Sequence, residues 1–66
     1  MSRETLQILL DAPSLDRVRS GSFNFFNRLI GLVEARGWSV ELMGNGPDER
    51  ALAAQRGGPT LVHMDA

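Results

Sequence analysis

Gly37-Trp38-Ser39-Val40-Glu41-Leu42-Met43-Gly44-Asn45-Gly46-Pro47 is the stretch that decides the fold. Trp38, Val40 and Leu42 alternate with Ser39, Glu41 and Met43, the period of two that marks a strand with one strongly apolar face, and Gly44-x-Gly46-Pro47 ends it. A helical pattern lies on each side, and an apolar run lies beyond each helix. The layout is therefore strand, helix, strand, helix, strand, which is the pattern of consecutive βαβ units.

Upstream, Thr5-Leu6-Gln7-Ile8-Leu9-Leu10 is short and rich in branched residues, which suits a buried strand. Asp11-Ala12-Pro13 stops it, because Pro13 biases Ala12 toward an extended conformation. Ser14 to Gly21 is polar and longer than the usual connection of about 2–6 residues, so it reads as a long loop of the kind that carries function. Ser20 or Ser22 is placed to cap the next helix. In that helix Phe23, Phe26, Leu29, Ile30 and Val33 recur at spacings of three and four, and Phe25 and Leu32 widen the stripe. Arg36 and Gly37 supply the cation and the positive-φ residue that end it.

Downstream, Asn45 or Gly46 precedes Pro47, Asp48 and Glu49, a strong helix-start signal. Leu52 is the only large aliphatic residue of that helix, beside Ala51, Ala53 and Ala54. Gly57-Gly58 ends it, and Pro59 introduces a third strand, Thr60-Leu61-Val62-His63-Met64. Gly46 is expected to hold a backbone conformation that other residues avoid, since the strand must turn into a Pro47-started helix within few residues.

Strands laid down in one direction by right-handed crossovers give the spatial order three, two, one, with both helices on one face. Leu6, Ile8, Leu10, Trp38, Val40, Leu42, Val62 and Met64 then face the helices. Gln7, Leu9, Ser39, Glu41, Met43, Leu61 and His63 face the other way. Parallel sheets are covered on both sides, so bare Leu9, Met43 and Leu61 point to missing helices. The expected architecture is a three-stranded parallel α/β unit over 1–66, a single partial Rossmann-like domain of a larger doubly wound one.

With 66 residues and no cysteine, neither a disulfide framework nor a thiolate metal site supplements a small core. The start of the chain has no long apolar segment or small-residue cleavage site, and no apolar run approaches the roughly 18 residues of a membrane span. A cytoplasmic location is the default expectation. The basic residues are all arginine, at positions 3, 17, 19, 28, 36, 50 and 56, scattered and offset by acids to a net charge of −1, which argues against a nucleic-acid partner.

Two loops have the ingredients of an anion site. Gly44-Asn45-Gly46-Pro47 offers backbone donors at a helix start, but Asp48 and Glu49 oppose a phosphate, and a plain tight turn explains it better. Arg17, Arg19, Ser20, Gly21 and Ser22, ahead of a helix, form the better candidate on charge, against the equally simple reading of a solvated capped loop. Gly-x-Gly-x-x-Gly after the first strand and an acid at the end of the second are both absent, which argues against a nicotinamide-dependent dehydrogenase. His63, followed by Asp65, lies at the carboxyl edge where open α/β sheets bind ligands, although a lone histidine is more often structural, and Asp11, at the same edge, either holds an acceptor hydroxyl or, the favoured reading, caps the loop. One His with one Asp makes neither a metal site nor a nucleophilic triad.

Ile8-Leu9-Leu10-Asp11-Ala12-Pro13-Ser14, a loop with Gly21, and the helix ending Glu34-Ala35-Arg36-Gly37 before Trp38-Ser39-Val40-Glu41-Leu42 together resemble the N-terminal Rossmann-like domain of two-domain GT-B glycosyltransferases. Leu61-Val62-His63-Met64-Asp65 is similar to the later strand of such domains that carries a histidine at the cleft. The family often has paired glycines after the first strand, where this chain has Gly21 alone. Gly44-x-Gly46-Pro47 followed by Glu49 is also similar to a C-terminal-domain loop near the donor nucleotide, but a first strand beginning just after Met1 favours the N-terminal placement. The resemblance implies an acceptor-side lobe, inactive alone, of an enzyme that transfers sugar from a nucleotide sugar to a glycan or small-molecule acceptor without a cofactor or protein-bound metal. It implies a missing C-terminal domain that binds the donor and a catalytic His63, while ligand contacts from Asp11, Arg17, Arg19, Gly21, Ser22 and Asp65 are expected from the loop charge and the strand-end positions. The alternative class is a small noncatalytic α/β module that completes its sheet by pairing with a partner.

Overall fold

The computed structural model describes residues 4–63. Three parallel strands and three helices alternate as β1 (Thr5–Leu10), α1 (Ala12–Arg19), α2 (Asn24–Ala35), β2 (Ser39–Gly44), α3 (Pro47–Arg56) and β3 (Thr60–His63). The three-stranded parallel α/β architecture is thus the expected one. Met64 and Asp65 lie outside the described residues.

The strand order is β2-β1-β3, which corrects the expected three-two-one. The chain leaves β1 for β2 on one side and then returns past β1 to reach β3. Crossovers running in opposite directions with the same hand place their helices on opposite faces. Accordingly Ile8 and Leu10 of β1 pack with Val18 of α1 and Phe26 of α2, while Leu9 packs with Met43 and with Ala53 of α3. The face expected to be bare at Leu9 and Met43 is covered by α3. Both faces of β1 are buried, so its near-continuous apolar run follows from its central place.

The register of β3 also differs from expectation. Ile8 pairs with Leu61, Leu9 with Val62 and Leu10 with His63, so Leu61 and His63 share the α1 and α2 face while Val62 lies on the α3 face. One residue of slip exchanges every side chain between faces. Leu61 packs against the larger core, whereas Val62 stays 53% exposed.

The expected loop from Ser14 to Gly21 is mostly helix. Asp11 is the extended N-cap, Ala12 and Pro13 open α1, and the Leu15 N–H donates to Asp11 O at 2.9 Å. Proline is tolerated in a first turn, whose N–H groups have no helical acceptor. Ser14 and Val18, four residues apart, are the residues α1 buries. Neither Ser20 nor Ser22 caps α2, whose N-cap is Phe23 without a side-chain cap. The serines instead finish α1: Ser22 N–H donates to Arg17 O at 2.9 Å and Gly21 N–H to Val18 O at 3.1 Å, with Gly21 at φ 82°. This is a Schellman motif. α2 ends the same way, with Gly37 at φ 86° donating to Glu34 O and Trp38 N–H directed at Val33 O.

Gly46, by contrast, caps α3 at φ −90° and ψ 170°, ordinary extended backbone, so the expected strain is absent. What limits that position is space, since a Cβ there would overlap Glu49 Oε1.

Candidate functional site

In the order β2-β1-β3 the chain changes direction between β1 and β3, and the carboxyl ends of those two strands form the crevice where open α/β sheets hold ligands. Asp11 follows the last residue of β1, and His63, paired with Leu10, is the last of β3. Topology therefore brings Asp11 and His63 to one edge. Asp65 lies outside the described residues.

His63 is held by aromatic rings. Its imidazole meets Phe23 at 5.5 Å and Phe26 at 5.0 Å between centroids, both edge to face, and the two phenyl rings meet each other at 4.9 Å. Arg17 covers the other participant in this corner, its Cζ lying 4.3 Å from the centroid of Phe23. The result is a continuous Arg17, Phe23, His63 stack at the crevice, in which a guanidinium and an imidazole share one aromatic partner. Stacking of this kind fixes a ring's plane and leaves its nitrogens to polar partners. Phe23 and Phe26 escaped notice as site residues because they fit the core stripe. Their spacing of three, which puts both on the side of α2 that meets β3, was the available signal.

The other predicted contacts disperse. Arg19 is exposed in the last turn of α1, where a cation complements the helix dipole. Gly21 and Ser22 are occupied in ending α1, and the hydroxyls of Ser20 and Ser22 both donate to Arg17 O, at 3.1 and 3.3 Å. The candidate anion loop is thus a helix terminus built around a carbonyl. The Gly44–Pro47 loop is likewise filled from within, because the Glu49 carboxylate lies over Gly44 and Gly46. A carboxylate at a helix start satisfies the positive end of the dipole that a phosphate would otherwise seek.

At the opposite, amino edge a groove of about 470 Å³ runs past Glu4, Thr5, Gln7, Glu41 and Arg56. Glu41 and Arg56 form an ion pair across it. Gln7, only 2% exposed, is a buried polar residue that the alternation of β1 does not explain. Its Nε2 lies 3.2 Å from Ala53 O, 3.0 Å from Gly57 O and 3.3 Å from Thr60 Oγ1, so it ties the end of α3 and the start of β3 to the central strand. No group of three or more His, Cys, Asp and Glu able to hold a metal occurs among the described residues. No helix among them is long and apolar enough to cross a membrane. No family model, no curated protein and no solved structure matches the chain.

Proposed function

We propose that these residues form the N-terminal, acceptor-side portion of a nucleotide-sugar-dependent glycosyltransferase, located in the cytoplasm and inactive without a second domain that binds the donor. The observation that carries the reading is the placement of Asp11 and His63 at the carboxyl ends of the adjacent strands β1 and β3, the switch point of the sheet. Sugar transfer requires that an acceptor hydroxyl lose its proton as it attacks the anomeric carbon. An imidazole whose plane is set by Phe23 and Phe26 is suited to accept that proton, and a neighbouring carboxylate is suited to orient the hydroxyl. Both demands fall on the acceptor side of the cleft, which is the part this lobe would build.

The test uses the complete natural gene product and follows consumption of nucleotide sugar. His63→Phe retains the aromatic contacts and removes the base, so turnover should fall by about 100-fold or more with unchanged thermal stability. Retained turnover in that variant, or donor consumption by residues 1–66 alone, would overturn the proposal. A noncatalytic module that completes its sheet with a partner is the second reading, favoured by the outer edge of β3, which pairs with no strand among the described residues, and by the exposure of Val62. It predicts no turnover of any nucleotide sugar and protection of the Thr60 and Val62 amides when the partner binds.

A further inference from the structure

Phe25 is 67% exposed and Leu32 is 60% exposed, the two most exposed large hydrophobic residues described, and both lie on α2. At 3.6 residues per turn, Phe25, Arg28, Leu32 and Arg36 fall within about 80° of arc, alternating apolar and basic along the helix and just past its end. All four are exposed. Glu34, the acid of this helix, projects about 180° from Phe25 at the same periodicity. Neither Arg28 nor Arg36 has an ion-pair partner among the described residues. At the far end of the stripe Arg36 shares a hollow of about 210 Å³ with Val33 and half-buried Trp38.

This stripe is not the surplus of the core. Phe26 is buried, and Leu29 and Ile30, about 40° and 140° from Phe25 around α2, pack against the core cluster, so the stripe flanks the core-facing side and is not part of it. Exposed Phe and Leu interleaved with arginine, with a Trp at the margin and no carboxylate between them, match an interface that is apolar below and anionic above. A groove on a protein partner would accept the apolar residues but would not call for unpaired guanidinium groups beside each of them.

We propose that the outer face of α2 docks on an anionic lipid bilayer, with Phe25 and Leu32 entering the headgroup boundary and Arg28 and Arg36 contacting lipid phosphates. The inference goes beyond the reading of the crevice, which lies at the carboxyl edge of the sheet.

Trp38 is the sole tryptophan of the chain, so its emission reports on this face alone. The full chain is mixed with vesicles of phosphatidylcholine, and with vesicles in which about a third of the lipid is phosphatidylglycerol. Binding, read by co-sedimentation and by a blue shift of Trp38, is expected for the anionic vesicles only. Arg28→Gln and Arg36→Gln should each weaken it about fivefold at low salt. Phe25→Ser with Leu32→Ser should abolish it, while circular dichroism and the unfolding midpoint stay close to those of the parent. Absence of binding by the folded chain would overturn the proposal, as would binding indifferent to all four positions. Concentration-dependent dimerisation that vanishes in the Phe25 and Leu32 variant would also overturn it, since the face would then serve a second copy.

Discussion

Gly37 and Gly46 flank the same strand and look interchangeable as punctuation, but they carry different physics. Gly37 sits at φ 86° with open space where a Cβ would stand, and Gly46 sits at φ −90° beneath the Glu49 carboxylate. Gly37→Ala should therefore cost roughly 1–2 kcal/mol through left-handed backbone strain. Gly46→Ala requires only that a flexible, half-exposed side chain swing aside, and should stay within about 0.5 kcal/mol of the parent. Denaturant midpoints at unchanged slope separate the two, and equal losses would place the strain elsewhere. Gln7 is the stronger residue-level constraint. Its Nε2 serves the carbonyls of Ala53 and Gly57, so Gln7→Leu leaves Ala53 O with the Gly57 N–H alone and removes the side-chain donor to Gly57 O, and should destabilise the fold by about 1 kcal/mol. A near-neutral result would mean that water replaces the amide.

Among the elements, α3 shows how little side chain a helix needs when it lies close to a sheet. Ala53 is buried against Leu9 and Met43, while Leu52, its larger neighbour, is 40% exposed. Ala53→Leu should overpack this contact and cost roughly 1–3 kcal/mol, whereas Leu52→Ala should change the unfolding midpoint little. The reverse ranking would mean that α3 had rotated on the sheet. Much at this level was legible in advance, because the start of α3 at Pro47 and the ends of α2 at Gly37 and β1 at Leu10 are fixed by local chemistry. α1 was not, because its eight residues bury only Ser14 and Val18 and open on a proline that, read locally, breaks structure. Its helix is held by contact with the sheet, which no local pattern records. The register of β3 was missed for a related reason. Gly57, Gly58 and Pro59 decouple the strand from the helix before it, and the choice between Leu61 and Val62 is made by Ile8 and the rings of α2. The candidate site is similar: the place of Asp11 and His63 at strand ends was legible in the sequence, while the stack that holds His63 arises between elements.

At the scale of the whole sheet, the order β2-β1-β3 leaves two outer strands among the described residues, and they are guarded differently. β2 carries Glu41, which is engaged with Arg56, whereas Thr60-Leu61-Val62-His63 has no carboxylate, lysine or arginine. Gln7 N–H donates to Pro59 O at 3.1 Å. By the alternation of a strand, Leu61 and His63 then also direct their backbone groups toward β1, and Thr60 and Val62 direct theirs outward. Two outward residues separated by one are self-complementary about a two-fold axis, because Thr60 of one copy then faces Val62 of another in an antiparallel pair. An uncharged open edge beside an exposed valine is the arrangement that proteins otherwise guard against with lysine or proline. The chain of 66 residues should therefore associate weakly with rising concentration in sedimentation experiments, and Val62→Lys should keep it monomeric over the same range. Leu52→Lys adds the same charge at an exposed position on α3 and should leave association intact. Equal suppression by both variants would assign the effect to net charge rather than to the strand edge, and association that survives Val62→Lys would move the contact away from β3.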